Sequence, residues 1–465
     1  MKKLLIIISI FTIQFSILNS EDTWIKTYDP FFGDTYATED VLICQDGGYA
    51  INGYYDYSDF TWEEHWGFLV KTDSDGNLLW AKVDTVSFMS ENESLAFIET
   101  DDEGFLSAGS SPWGSYLIKR DSLGNRLWSM FNDFHVETML RAVDGNIILG
   151  GIRTDNGHPA IRKITQEGNV LWNQDYYLGG SGNGKIRSVI QTSDGGFAST
   201  GLTSGGGFNM FVLKTDSNGD SLWCITYDGF GQYDEGLSII ESTSAEFYVS
   251  GLLDDLDRSI YGILLKISAE GELLLELNES QSGNYYTFFS MVESITDNTI
   301  VGYGRDADGR ALNFYNYNGE SILDTPLPLA GRGIGDKCLQ IVDNGFLLSG
   351  NNSSWHIALV KTDNSGQVTS SDNHELQINN YELNNYPNPF NPETTIKFKI
   401  TYPTEVLLQI FNVKGQLITT LLNEEKQAGE NSVIWNAKDQ ASGIYFIRIS
   451  DENGLSKNHK IVLIK

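Results

Sequence analysis

The sequence predicts an all-β chain: a seven-bladed β-propeller followed by a small immunoglobulin-like β-sandwich. Three observations carry that reading. One motif returns seven times through the middle of the chain, and each period holds four strand-like runs. The final stretch then alternates apolar and polar residues between glycines.

The motif begins as Phe68-Leu69-Val70-Lys71-Thr72-Asp73-Ser74-Asp75-Gly76-Asn77-Leu78-Leu79-Trp80. It returns as Leu117 to Trp128, as Lys163…Gly168-Asn169…Trp172 and as Lys214…Gly219-Asp220…Trp223. Weaker copies follow at Lys266…Gly271…Leu275, Phe314…Gly319…Leu323 and Lys361…Gly366. The glycines lie 48, 44, 51, 52, 48 and 47 residues apart, the period of a four-stranded propeller blade. A second motif keeps step: Asp46-Gly47-Gly48-Tyr49, Asp102-Glu103-Gly104-Phe105, Asp144-Gly145-Asn146-Ile147 and Asp194-Gly195-Gly196-Phe197, with looser copies near Glu246, Asp297 and Asn344. In the first period the strand-like runs are Asp40–Gln45, Tyr49–Tyr54, Gly67–Thr72 and Leu78–Val83. Asp73 and Gly76 suit the first and fourth positions of a type I turn closed by a left-handed glycine.

Closure of the ring is also legible. The seventh period ends in Gly366-Gln367-Val368-Thr369-Ser370-Ser371, which has no tryptophan and little strand character. Thr23-Trp24-Ile25-Lys26-Thr27-Tyr28 supplies the missing outer strand, which would tie the ring shut and hide an edge. With Trp24 placed there, five of the seven periods carry tryptophan at one outer-strand position. The step of four residues from glycine to tryptophan resembles that of the docking tryptophans in pyrroloquinoline-quinone-type propellers. The resemblance is confined to spacing; it implies packing between blades, and no cofactor is expected.

The tail opens with Asn385-Tyr386-Pro387-Asn388-Pro389-Phe390-Asn391-Pro392-Glu393-Thr394-Thr395-Ile396. Four of the chain's nine prolines fall between Pro387 and Pro403, so a sharp turn precedes the first strand and marks a domain start. Thr394–Ile400, Glu405–Val413, Gln416–Leu422, Ser432–Asn436, Ile444–Ser450 and His459–Ile464 alternate as half-buried strands do. Gly415, Gly429 and Gly443 separate them.

These motifs, from the proline-rich entry through Gly415-Gln416-Leu417, Trp435-Asn436 and Gly443-Ile444-Tyr445-Phe446 to Lys460-Ile461-Val462-Leu463-Ile464-Lys465, resemble the C-terminal sorting domain of the type IX secretion system. The resemblance covers residues 384–465. It implies recognition by the outer-membrane secretion and sorting machinery, after which the domain is removed or exchanged for a surface anchor. The sorting-motif residues it singles out are Pro387, Asn388, Pro389, Phe390, Asn391, Pro392, Gly415 and Gly443.

The other end agrees with export. Lys2 and Lys3 precede an apolar run from Leu4 to Phe11, and Ser20 offers a small residue for cleavage, the pattern of a secretory signal peptide. No other segment approaches membrane-spanning length. The expected divisions are a signal peptide at 1–20, a propeller at 21–370, a polar linker at 371–383 and the sorting domain at 384–465. Loss of residues 1–20 moves the net charge from -31 to -33, because it removes two lysines and no acid. Such a surface repels nucleic acid and anionic membranes. With 40% hydrophobic and 12% aromatic residues the chain is too apolar for disorder. Cys44, Cys224 and Cys338 are an odd, irregularly spaced set, which reads as buried free thiols rather than a disulfide framework. A monomer is expected.

Function should sit on the other two connections of each blade, which lie on the face opposite the two tight turns and are long and dissimilar. The richest is Tyr54-Tyr55-Asp56-Tyr57-Ser58-Asp59-Phe60-Thr61-Trp62-Glu63-Glu64-His65-Trp66, read as a loop. Tyr55, Tyr57, Trp62, His65, Trp66 and the nearby Trp113 are the candidate ligand-binding residues. Flat rings beside carboxylates suit sugar faces or peptide side chains; the same rings could equally pack the loops onto the disc. Tyr176, Tyr177, Phe230, Tyr233, Tyr285, Tyr286 and Trp355 are placed on the same side.

Three other motifs lose to context. Gly179-Gly180-Ser181-Gly182-Asn183-Gly184-Lys185 lacks the following Ser or Thr and the helix that a phosphate loop requires. Asp73-Ser74-Asp75-Gly76 brings its glycine two residues early for a calcium loop. Asp254-Asp255-Leu256-Asp257 reads as an exposed acidic loop. The six histidines show no metal-ligand spacing and no nucleophile elbow is present, so no metal and no catalytic residue are assigned. Two readings remain: a secreted or surface binding protein for glycans or peptides, and a polysaccharide- or peptide-cleaving propeller enzyme, with a structural surface-layer role behind both.

Overall fold

The computed structural model describes residues 23–30, 35–59, 62–84, 94–111, 114–178, 184–204, 207–229, 233–254, 260–278, 287–294, 299–305, 310–327, 329, 338–340, 345–352, 355–368, 383–400, 404–413, 416–426, 429–451 and 456–465. The expected signal peptide at 1–20 and nearly all of the expected linker lie outside them.

Trp24 to Lys361 forms a propeller-like series of four-stranded antiparallel units, seven among the described residues. The first unit runs Thr35–Ile43, Tyr49–Asp59, Trp62–Thr72 and Leu78–Asp84, each strand paired with the next. The fourth and fifth units touch through a single parallel pair, Phe208 with Tyr233. The first strands of successive units are Thr35–Ile43, Ser94–Glu99, Phe134–Arg141, Lys185–Gln191, Tyr233–Glu241, Thr287–Glu293 and Cys338–Gln340. Each lies against the next, and the last lies against the first. The seventh unit borrows its fourth strand from the start of the chain: Trp24–Tyr28 pairs antiparallel with Ile357–Lys361, Trp24 opposite Lys361.

Both sequence motifs now have a physical meaning. The turn after each third strand closes as the spacing predicts, with the Gly76 amide donating to Asp73 O at 3.1 Å and Gly76 at φ 75°. The Asp73 carboxylate accepts the amides of Asp75 and Asn77 and so pins the turn. The tryptophan of one unit lies over the turn glycine of the next: Trp24 over Gly76, Trp80 over Gly124, Trp128 over Gly168, Trp172 over Gly219 and Trp223 over Gly271. The Trp80 and Trp223 indoles also donate to Ser122 O and Ala269 O of those turns, at 3.1 and 2.9 Å. Where tryptophan is missing, Leu275 and Leu277 cover Gly319.

A second device ties the two motifs of one unit together. The lysine of the third strand runs beneath the first turn to that turn's acid: Lys71 to Asp46 at 2.8 Å, Lys119 to Asp102 at 2.6 Å, Lys163 to Asp144 at 2.5 Å, Lys214 to Asp194 at 2.8 Å and Lys266 to Glu246 at 2.8 Å. Lys71, Lys119 and Lys214 are buried. Each also donates to the carbonyl of the following residue, so its ammonium is compensated where water is scarce. In the sixth unit Phe314 takes the lysine position and packs edge-on against Phe346 at 5.7 Å.

Two expectations change. Tyr54–Trp66 is not a loop: second and third strands continue as a hairpin arm, with Tyr55 opposite Trp66, Tyr57 opposite Glu64 and Asp59 opposite Trp62. Alternating Tyr and Trp favour extended pairing, which outweighs the turn-like Ser58-Asp59 signal. The cysteines are not uniformly buried: Cys44 is, and burial pushes its thiol up to about 12, whereas Cys224 is exposed on an outer strand. The Cys338 side chain lies outside the described residues.

The tail forms two sheets, Leu383–Tyr386, Glu393–Ile400 and Gly429–Asn436 in one, Thr404–Asn412, Leu417–Lys426, Gly443–Asp451 and Ser456–Leu463 in the other. They enclose one core that includes Phe390, Phe398, Leu408, Trp435 and Ile447. The six expected strands are present; Leu383–Tyr386, rich in asparagine, is an additional one.

The lysine clamps make stability acid-sensitive. Burial alone would raise the Asp194 carboxyl, yet the Lys214 and Thr192 hydrogen bonds and the Gly196 amide hold it down at about 2, below the ordinary 3.8. A depressed carboxyl contributes stability above its unfolded value and loses it as pH falls through the folded one. We expect Asp194→Asn to lower Tm by about 2–5 °C at pH 7, and the two melting curves to converge as pH falls from 4 towards 2. Equal differences at pH 7 and pH 2 in differential scanning fluorimetry would contradict this.

Candidate binding face

In the first five units the first-to-second and third-to-fourth connections are tight turns at one end of the sheet. The second strands end and the third strands begin at the other end, where the pair in the first unit extends into the arm. Its base is anchored at the ring seam. Tyr55 is buried and lies 5.8 Å from Tyr36, which stands edge-on to Phe68 at 6.0 Å and to His356 at 6.5 Å. The Tyr36 hydroxyl donates to Asp29 at 2.7 Å, its amide donates to Trp355 O at 3.0 Å, and Asn351 Nδ2 donates to Tyr36 O at 2.7 Å. Burial raises the Asp29 carboxyl above its ordinary range, although the Tyr36 hydrogen bond and nearby His356 oppose it.

The six candidate residues therefore divide. Tyr55 and the half-buried Trp66 pack into the core of the first and seventh units. Tyr57, Trp62 and His65 occupy register positions further out, and their side chains lie outside the described residues, as does Trp113 altogether. Of the other aromatics named from sequence, Tyr176 is buried and donates to Gly219 O at 2.8 Å, so it is a packing residue. Tyr177 is 79% exposed and stands 4.1 Å from the His158 ring. Phe230, Tyr285, Tyr286, most of the glycine-rich segment and residues 255–257 of the acidic loop lie outside the described residues. Sequence reasoning passes over the polar residues of the first strands, Glu137, Lys185, Arg187 and Glu235, which come together from three units. The only signal for them is that Glu137 and Arg187 fall at one equivalent point of their periods, and Lys185 and Glu235 at another two residues earlier.

In the tail, the sorting motif is mostly a clasp on the C-terminal strand. Asn388 Oδ1 accepts the Val462 amide at 2.9 Å, and its Nδ2 donates to Lys460 O at 3.2 Å. The Phe390 amide donates to Val462 O and its carbonyl accepts the Ile464 amide, both at 2.9 Å, while its buried ring packs on Trp435. Pro387 O and Pro392 O accept from Thr394 Oγ1 and the Ala437 amide, at 2.8 Å each. Pro389 and Asn391 are exposed, Gly443 opens a strand opposite Leu463, and Gly415 lies outside the described residues.

Comparison with known proteins agrees with this geometry. Residues 384–465 match the family of secretion system C-terminal sorting domains. The protein is accordingly exported through the type IX secretion system, by way of the periplasm, to the cell surface or beyond. No curated protein matches the chain. Among solved structures it is similar to PorZ, an essential surface component of the type IX secretion system of Porphyromonas gingivalis, with 15% identity and TM-score 0.44 over 90% of this chain; it spans 58% of PorZ. It is also similar to virginiamycin B lyase from Staphylococcus aureus, with 9% identity and TM-score 0.51 over 73% of this chain and 99% of that one. The WD40 domain of Neurospora crassa Pan2 gives 11% identity and TM-score 0.48 over 76% of this chain and 99% of that one. Among the described residues no helix is long and apolar enough to cross a membrane.

The clasp yields a direct test of the motif. Asn388→Ala removes two hydrogen bonds to the last strand, worth about 1 kcal/mol each. We expect faster amide exchange in Ser456–Leu463 with little change in Thr404–Asn412; exchange unaltered in Ser456–Leu463 would show that Asn388 does not hold it.

Proposed function

We propose that this protein is a secreted or surface-displayed seven-bladed propeller, residues 21–370, joined by a linker at 371–383 to an immunoglobulin-like sorting domain at 384–465. Its loop face binds a glycan or peptide through the arm of the first blade. The observation that supports this most is the arm itself. Second and third strands run on for five further pairs, from Tyr55 with Trp66 to Asp59 with Trp62. The packing around Tyr36 accounts for Tyr55 and Trp66 at its base, but a core residue is not needed at Tyr57 or Trp62. Aromatic and acidic residues on a rigid two-stranded arm offer stacking surface and acceptors at small entropic cost.

The seam beneath makes the arm a fixed presenter, since Tyr36, Asn351 and Trp355 lock the first and seventh units together below it. Secretion and a strongly acidic cargo fit a ligand met outside the cell that is neither nucleic acid nor an anionic membrane. On a glycan and peptide array, we expect Tyr57→Ala and Trp62→Ala to weaken binding at least about tenfold with Tm unchanged. Trp66→Ala should in addition lower Tm, because that ring also packs the core. Undiminished binding by the Tyr57 and Trp62 variants would remove the arm from the site.

A further inference from the structure

The register of the first strands slips by one residue at the same level in six units: at Glu39, Leu95, Glu137, Arg187, Leu237 and Phe289. Such a bulge re-aims one side chain, and bulges concentrate at functional sites. Because the first strands of successive units abut in cyclic order, these positions surround the axis of the disc.

In the third and fourth units the bulge residues Glu137 and Arg187 form a compact polar cluster with Lys185 and, from the fifth unit, Glu235, each two residues before the bulge of its own strand. Arg187 donates to Glu137 Oε2 at 2.7 Å and to Glu235 Oε1. The Tyr233 hydroxyl donates to Glu235 Oε2 at 2.9 Å. Lys185 lies 3.9 and 4.0 Å from the two carboxylates, beyond hydrogen-bond length. Glu235 is 4% exposed at its side chain and Glu137 12%, whereas Arg187 and Lys185 keep 28% and 25%. Burial would lower the Arg187 guanidinium, but the flanking carboxylates raise it above its ordinary value, so it stays charged.

Packing does not require this cluster. At the bulge itself the fifth and sixth units hold Leu237 and Phe289, and buried ion pairs are a weak source of stability compared with apolar residues of similar volume. Two cations and two carboxylates compensate each other, so the cluster has no net charge to offer an ion. What it offers is a set of fixed planar donors and acceptors, the spare donors of Lys185, and the Tyr233 ring, which stands 5.3 Å from the partly exposed Phe208. Convergent polar groups beside an aromatic surface suit a ligand with many hydroxyls and an apolar face.

We propose that this axial cluster is a second binding site, separate from the arm, and that it takes a neutral sugar residue of an oligosaccharide. A uronate would need its own counter-charge, and Arg187 is already committed to two carboxylates. A phosphate would meet Glu137 and Glu235. This proposal does not depend on the arm, since the two sites draw on different units.

The test titrates the full chain by calorimetry with cellobiose, maltose, mannobiose, diacetylchitobiose and, as the charged comparison, digalacturonate. At least one neutral disaccharide should bind. Lys185→Met, which keeps the Arg187 triad, and Glu235→Gln, which keeps its shape, should each weaken that binding at least tenfold. Trp62→Ala should leave it within twofold, and the Lys185 variant should retain wild-type Tm. No neutral disaccharide binding, binding of digalacturonate alone, or neutral binding unchanged in a folded Lys185→Met protein would each overturn the axial assignment. Loss in Trp62→Ala with retention in Lys185→Met would place the sugar on the arm instead.

Discussion

The structure depends on a glycine that lies beneath its neighbour's tryptophan. At Gly76 the backbone adopts φ 75°, and a Cβ would stand 2.7 Å from the Trp24 ring. An L side chain there meets both objections at once, left-handed strain and an occupied space, each on the order of 1–3 kcal/mol. The indole gains a flat floor and, in two units, a carbonyl for its N–H. Repeated from unit to unit, this contact sets how closely and at what angle one sheet follows another. At the seam, Trp24 makes it from the opposite end of the chain, and Tyr28 adds a hydrogen bond to Gly76 O at 2.7 Å.

The lysine clamps act within a unit rather than between units. Gly–Trp docking joins neighbouring units, whereas Lys71 with Asp46 and its counterparts join first turn to third strand inside one unit. A unit held in itself and seated on the next can tolerate variation on the opposite end. There the second-to-third connections differ from one unit to another, the first extending into an arm. The cluster of Glu137, Arg187 and Glu235 is likewise particular to three units. Function on such a scaffold is local variation on a repeated frame.

Legibility followed locality. Turn glycines, strand alternation, the tail's proline entry and the orphan strand at Trp24 are patterns within a dozen residues, and sequence shows them directly. The partnership of Lys71 with Asp46 spans 25 residues and depends on strand pairing; the coincidence of the two motifs within each period was its only trace. The axial cluster spans three periods and needs the bulges to bring it together. The arm was hidden because Ser58, Asp59 and Thr61 imitate a loop among strand-forming aromatics. Charge is divided in a way that whole-chain composition conceals. Residues 384–465 hold nine Lys and Arg against eight Asp and Glu, which leaves -32 for residues 1–383. The acidity belongs to the cargo, while the sorting domain is close to neutral.

The central claim is that the N-terminal strand completes the seventh unit and locks it to the first, so that the disc behaves as one body. Thermal unfolding of the full chain with Trp24→Ala, and with residues 21–30 deleted, tests it most directly. The account predicts a fall in Tm of about 5 °C or more for Trp24→Ala and a larger fall for the deletion. A melting curve left unchanged by the deletion would contradict it.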